Sequence, residues 1–221
     1  MPREEFHGQL DAIRGALADM CALAGSAMER ATTALLGGDL AVASGVNELA
    51  NQLDVARRAV EDQTYEVLAL QSPVATDLRS LVVAIKVGAD IDRMGSLANH
   101  VAKVAARRHP SVAVPDSMFP VFRRMGAVAI RMAASAGAVL DSADAADAGR
   151  LSIDDDAMDG LRRSLFQTLL DDWPYGVESA IDIALLGRYY ERFADHAVSI
   201  ADGVVYLVTG VLPKEREEPL P

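Results

Sequence analysis

The stretch IALLGRYYERFADHAVSIADGV, residues 183–204, places Ile183, Leu186, Tyr190, Phe193, Ala197, Ile200 and Val204 at steps of three and four. An α-helix advances 3.6 residues per turn, so this spacing lines one helix face with apolar groups and predicts a long helix packed by that stripe. A matching stripe, Val87, Ile91, Met94, Ala98 and Val101, lies earlier in the chain. A shift of 99 residues lays Gly88, Asp92, Arg93, Met94, Gly95 and Ala98 on Gly187, Glu191, Arg192, Phe193, Ala194 and Ala197. Nearer the N-terminus a shift of 105 carries Met20, Ala24, Leu35, Asp39 and Asp54 onto Met125, Ala129, Leu140, Asp144 and Asp159. The sequence is thus a duplication in which the second copy has lost part of one loop.

Ala, Leu, Arg, Glu and Met dominate throughout, and no stretch alternates apolar and polar residues as a half-buried strand does. The pattern predicts an all-α protein of six helices, three per copy. The first runs from about Glu4 to Leu36 and stops at Gly37-Gly38, with Asp39 as N-cap of a second helix reaching about Leu70. Ser72-Pro73 reads as the start of a third, which runs to about Arg107. Pro110 and Pro115 bracket a linker. Helices four to six are expected at about Ser117–Leu140, Ala143–Leu170 and Pro174–Thr209, the last stopped by Gly210. Two tandem antiparallel three-helix bundles standing end to end satisfy these lengths, over 1–109 and 116–210, with 211–221 as a loose, charged and Pro-rich tail. One mixed six-helix bundle is the other arrangement compatible with the pattern.

With 221 residues and 51% apolar content the chain can bury a good core built from small aliphatic side chains. Its apolar runs are far shorter than the roughly 20 residues of a membrane span, and its first residues, Arg3, Glu4 and Glu5, lack an export signal, so a cytoplasmic location is expected. A lone cysteine, Cys21, among Met20, Leu23 and Ala24, reads as a core thiol of a reducing compartment. A net charge of −11 argues against nucleic acid as partner.

Side chains four apart on a helix share a face, so Asp155 with Asp159 on the fifth helix, and Glu191 with Asp195 on the sixth, each present two carboxylates together. Facing one another, the pairs would repel unless a cation neutralised them, and oxygen ligands suit magnesium, calcium, manganese or iron. An ordinary solvated acidic face is the competing reading. The first copy has Ala50 where the second has Asp155 and Ser96 where it has Asp195, keeping only Asp54 and Asp92. A site there is expected to be weaker or vacant.

The segments Leu70-Gln71-Ser72-Pro73-Val74-Ala75-Thr76-Asp77-Leu78-Arg79, Asp92-Arg93-Met94-Gly95-Ser96-Leu97 and Tyr190-Glu191-Arg192-Phe193-Ala194-Asp195-His196-Ala197 resemble those of the PhoU family of phosphate-transport regulators. The ending Leu207-Val208-Thr209-Gly210-Val211-Leu212-Pro213 is similar to its actinobacterial PhoY members. The resemblance implies paired three-helix bundles and metal clusters held by Glu/Asp-x-x-x-Asp motifs, with iron, manganese, magnesium or zinc as the divalent or trivalent cation. Asp155-x-x-x-Asp159 and Glu191-x-x-x-Asp195 match that motif in full, whereas Ala50-x-x-x-Asp54 and Asp92-x-x-x-Ser96 each lack one acid. It further implies a homodimeric, non-enzymatic negative regulator of phosphate uptake and starvation signalling. Such a protein meets the membrane only through its partners, a PstB-like importer ATPase and a PhoR-like sensor histidine kinase.

Other candidates are weaker. His196 neighbours Asp195 but corresponds to Leu97, which suggests packing or capping. Glu4-x-x-His7 has the spacing of di-iron bundles without a second such motif. Arg93 and Arg192 are expected to pair with adjacent acids. The rows starting at Arg57-Arg58 and Arg162-Arg163 are expected on exposed faces, as solvated charge or as docking surfaces for an acidic partner. Two further functional classes remain open on the residues alone: a hydrolase whose second-copy acids hold a water-activating cation, and a metal-free helical adaptor.

Overall fold

The computed structural model describes residues 3–142, 145–171 and 173–211, with the side chains of all but residues 3 and 145–150. Among them the regular structure is helical: α1 (Arg3–Gly37), α2 (Leu40–Gln71), α3 (Ala75–Arg108), α4 (Phe119–Ser142), α5 (Ala145–Leu170) and α6 (Gly176–Thr209). A short 3₁₀ turn, Asp116–Met118, leads into α4. No described helix is long and apolar enough to cross a membrane. The expected start of helix five at Ala143, and the expected tail beyond Val211, lie outside the described residues.

Local chemistry sets most boundaries. Gly38 takes φ +65°, and the Asp39 carboxylate accepts the N–H groups of Ala41 and Val42 at 2.8 and 3.1 Å, which ends α1 and caps α2 as the sequence predicts. Gly210, at φ +72°, donates its N–H to the Tyr206 carbonyl at 2.8 Å and closes α6. The expectation at Ser72-Pro73 needs correction. Ser72 is the left-handed C-cap of α2 (φ 44°, ψ 53°), and α3 begins after Val74 without a side-chain cap. Proline disfavours the right-handed helical region for the residue before it and offers no N–H, and with Ser72 in the left-handed region Pro73 follows the end of α2 instead of opening α3.

Within each repeat the three helices pack on one another, and among the described residues α2 touches only α1 and α3, and α5 only α4 and α6. The repeats then join side by side, α1 against α4 and α3 against α6, with one continuous core running through both. This corrects the end-to-end arrangement. The cause is the composition of α1 and α4, which carry small residues on the faces they turn to each other. A Cβ added at Gly25 would lie 3.4 Å from Ala133 Cβ, one at Gly137 3.3 Å from Cys21 Cβ, and one at Gly126 2.7 Å from Thr32 Cγ2. The 105-residue shift turns the pair Cys21/Gly137 into Gly126/Thr32, so the seam has the pseudo-twofold symmetry of the duplication. A side chain at Gly126 would clash, one at Gly137 would press on its neighbour, and one at Gly25 would make ordinary contact, so the seam is tightest at Gly126. Cys21 is fully buried there, and burial pushes its thiol up to about 12, as befits a core residue.

Polar contacts tie the rest of the seam. Thr32 gives its hydroxyl proton to the Met28 carbonyl (2.8 Å), so the buried Tyr190 hydroxyl donates to Thr32 Oγ1 at 2.8 Å. At one end of the α3/α6 contact Arg107 and Arg108 each reach the buried Asp182 carboxylate at 2.5 Å. Near its middle Asp90 accepts from His196 Nδ1 at 2.9 Å and from Ser199 Oγ at 2.8 Å. His196 therefore faces the other repeat, in the packing role its Leu97 counterpart suggests.

Candidate metal centre

Helical spacing sets the second-repeat acids on facing sides of α5 and α6. Glu191 is buried and points toward two arginines: both its oxygens lie 2.5 Å from Arg188 Nη1, and Oε1 lies 3.3 Å from Arg162 Nη1. Asp195 has 44% of its side chain exposed and meets Arg192 at 3.8 Å, beyond hydrogen-bond reach. Burial of its carboxyl, with the charges of Glu191 and Asp155 added, pushes Asp195 up to about 6, against the opposing pull of Arg192 and Arg188. Asp155 is half-buried and within electrostatic range of Asp195, while Asp159 is exposed. The neighbouring Asp154 holds Arg131 of α4 at 2.7 Å.

The first-repeat counterparts are held differently. Asp54 accepts from Arg57 at 3.0 Å and from Arg58 at 2.7 and 3.3 Å, and these hydrogen bonds hold its carboxyl below the ordinary range. Arg57 also reaches Glu61 at 2.6 Å, and its Nε lies 3.9 Å from Asp92. Burial raises Asp92, with Arg57 and Arg93 opposing and Asp54 and Glu61 adding to the rise. Arg57, expected on an exposed row, is only 22% exposed and turned into the acids, whereas Arg58 stays exposed at 67%.

Among the described residues no three His, Cys, Asp or Glu side chains converge on one point as metal ligands do. The structure brings Asp155, Glu191 and Asp195 into one electrostatic neighbourhood and leaves Asp159 exposed. Asn99 and Asn47 hydrogen-bond each other at 3.0 Å. As carboxylate oxygens the second-repeat acids are of the donor type a hard cation takes, and Asp195, raised first by burial and then by Glu191 and Asp155, would gain from added positive charge. Arginine supplies that charge to Glu191 in the present arrangement.

Sequence reasoning missed Glu61 and Arg188. Each stands one helical turn from a residue it did select, Arg57 and Glu191, and that three- or four-residue spacing was the available signal.

A model of the PhoU domain matches the chain twice, over residues 17–105 and 122–204. The chain is 48% identical over 212 residues to the phosphate-specific transport system accessory protein PhoU homolog 2 of Mycobacterium tuberculosis, covering 96% of this chain and 100% of that one. It is 45% identical to PhoU homolog 1 of Mycobacterium leprae, over 98% of both. The crystal structure of PhoU from Pseudomonas aeruginosa superposes with a TM-score of 0.81 at 27% identity, covering 93% of this chain and all of that one. The phosphate transport system regulatory protein PhoU from Streptococcus pneumoniae superposes at 0.83 with 21% identity, over 95% and 99%, and attests the fold alone.

Proposed function

Because the chain belongs to the PhoU family, we propose that it works in the cytoplasm as a non-enzymatic negative regulator of phosphate uptake and of phosphate-starvation signalling. The carrying observation is similarity over the whole chain to proteins named as accessory to a phosphate-specific transport system. A role in regulating phosphate transport follows from that kinship. The finer reading is action by contact, with a PstB-like importer ATPase and a PhoR-like sensor kinase as partners and a homodimer as the working unit. The continuous core supports it, since two repeats locked along α1/α4 and α3/α6 present a stiff body with two pseudo-symmetric outer faces.

On the second of those faces Asp155, Asp159, Glu191 and Asp195 would hold the cation. Bound there, it would supply fixed positive charge, stiffening α5 against α6 or bridging to a partner's acids. Glu191 would turn from Arg162 and from Arg188, whose side chain is 45% exposed.

Deletion of the gene tests the regulatory reading. In phosphate-rich medium the deletion strain should express importer genes that the wild type keeps silent, and a copy in trans should silence them. An unchanged profile with every paralogue also removed refutes it.

A further inference from the structure

The two repeats carry equivalent arginines with different surroundings. The 105-residue shift maps Arg57 onto Arg162, Asp54 onto Asp159, and Glu61 onto Phe166. In the first repeat the Arg57 guanidinium reaches Glu61 at 2.6 Å and Asp54 at 3.0 Å, and stands 3.9 Å from Asp92 of the facing helix. In the second, Arg162 lies over the Phe166 ring, 5.4 Å from its centroid, and reaches Glu191 at 3.3 Å. Its buried Nε has no hydrogen-bond partner among the described residues.

We infer that Arg57 is the built-in cation of the first repeat: Asp54, Glu61 and Asp92 stand spread around three different nitrogens of its guanidinium, and they would close on a metal ion only with that side chain removed. Three observations bear on this. The carboxylates come from both helices of the face, α2 and α3, as those of the second repeat come from α5 and α6. The arginine stays charged at every pH the fold survives, so its neutralisation needs no ion from solution. And Glu61, the acid that engages Arg57 most closely, stands where the second repeat has a ring that offers no carboxylate. Loss of acids at Ala50 and Ser96 is then coherent with a site that has changed its cation, since fewer carboxylates suit one guanidinium. The inference concerns the first repeat alone and does not depend on a cation in the second.

Removing Arg57 should open the place to a metal. Arg57→Met keeps the alkyl stem that lies beside Gly88 while deleting the charge. Manganese titration by calorimetry, with elemental analysis after gel filtration, should find one more ion per chain in Arg57→Met than in the wild type, whatever the wild-type number. Arg57→Lys should gain none, and Glu61→Gln added to Arg57→Met should abolish the gain. Saturating manganese should also raise the melting temperature of Arg57→Met above any rise in the wild type, by about 5 °C at a hundredfold excess over Kd. A folded Arg57→Met that takes up no extra manganese overturns the inference. So does an Arg57→Met that is unfolded in chelator and not restored by manganese, because a surrogate cation must be replaceable by a real one.

Discussion

The first-repeat acids and the second-repeat acids descend from one ancestral pattern, yet Asp54 of the first is hydrogen-bonded by arginine, whereas in the second the arginines hold Glu191 and Asp195 stands 3.8 Å from Arg192. Asp54 is held down by Arg57 and Arg58, whereas Asp195 is pushed up to about 6 by burial and by Glu191 and Asp155. Both faces keep the helix pair, the spacing and the equivalent arginine. They differ in one neighbour of that arginine, Glu61 against Phe166, in two acids, Ala50 and Ser96 against Asp155 and Asp195, and in Arg188, which holds Glu191 where the first repeat has Ala89. A repeat can thus conserve the frame of a site while its acids change arginine partners, because the frame rests on buried apolar stripes and the pairing on a few half-exposed side chains.

The largest expected effect lies in metal content. Asp195→Ala or Glu191→Ala should remove most of the cation carried by the purified protein, and Asp92→Ala should remove little, since four acids bind a hard ion more tightly than two. Elemental analysis after gel filtration measures it. Equal losses would erase the difference between the repeats, and a wild type carrying no metal under any loading condition would withdraw the second site. The same variants separate structure from signal: repression of importer genes that survives the loss of metal would make the ion dispensable to regulation.

The helices and their stripes were legible in the sequence because burial imposes a period, and all seven apolar residues of the 183–204 stripe are buried. Side-by-side packing was not. It depends on Gly25, Gly126 and Gly137 facing Ala133, Thr32 and Cys21, a pairing between helices distant in sequence for which a single chain gives no register. The acids Asp155, Glu191 and Asp195 were found from their spacing, but the arginines that hold Glu191 were not, because Arg162 and Arg188 read equally well as solvated charge until their direction is known. Asp182 escaped for a related reason: it sits at the apolar position Val83 occupies in the other repeat, and only the fold brings Arg107 and Arg108 to it.

A smaller effect should appear in the pH dependence of stability, with opposite signs on the two faces. A carboxyl whose folded pKa is raised binds protons more readily in the folded state, so the Asp195 charge weakens the fold above about pH 6, and that penalty fades as pH falls toward the unfolded value near 3.9. Asp54 is lowered, so its charge strengthens the fold above the unfolded value, a contribution lost only as pH drops through its folded value. In chelator, Asp195→Asn should therefore raise the melting temperature at pH 7 and lose most of that advantage by pH 4.5. Asp54→Asn should lower it at pH 7 and still lower it at pH 4.5. Both shifts are modest, because both side chains are more than a third exposed and solvent screens them. Shifts of the same sign at pH 7 would mean that the two faces are not electrostatic opposites.

The smallest effect is the most discriminating. Phe166→Glu gives Arg162 the partner that Arg57 has in Glu61. It exchanges a cation–π contact worth about 0.5–1 kcal/mol at an exposed site for an i,i+4 ion pair worth about 0.3–0.5 kcal/mol. Stability should barely move, by less than about 2 °C in melting temperature. Cation binding distinguishes two outcomes of opposite sign. If the position of the guanidinium decides whether a face accepts metal, the new carboxylate draws Arg162 toward Asp159, reproduces the first repeat, and weakens manganese binding in the second. If only the number of acids matters, a fifth carboxylate strengthens it. Weaker binding in a protein of unchanged melting temperature would place the difference between the repeats in one side chain's choice of neighbour; stronger binding would return it to the acids missing at Ala50 and Ser96.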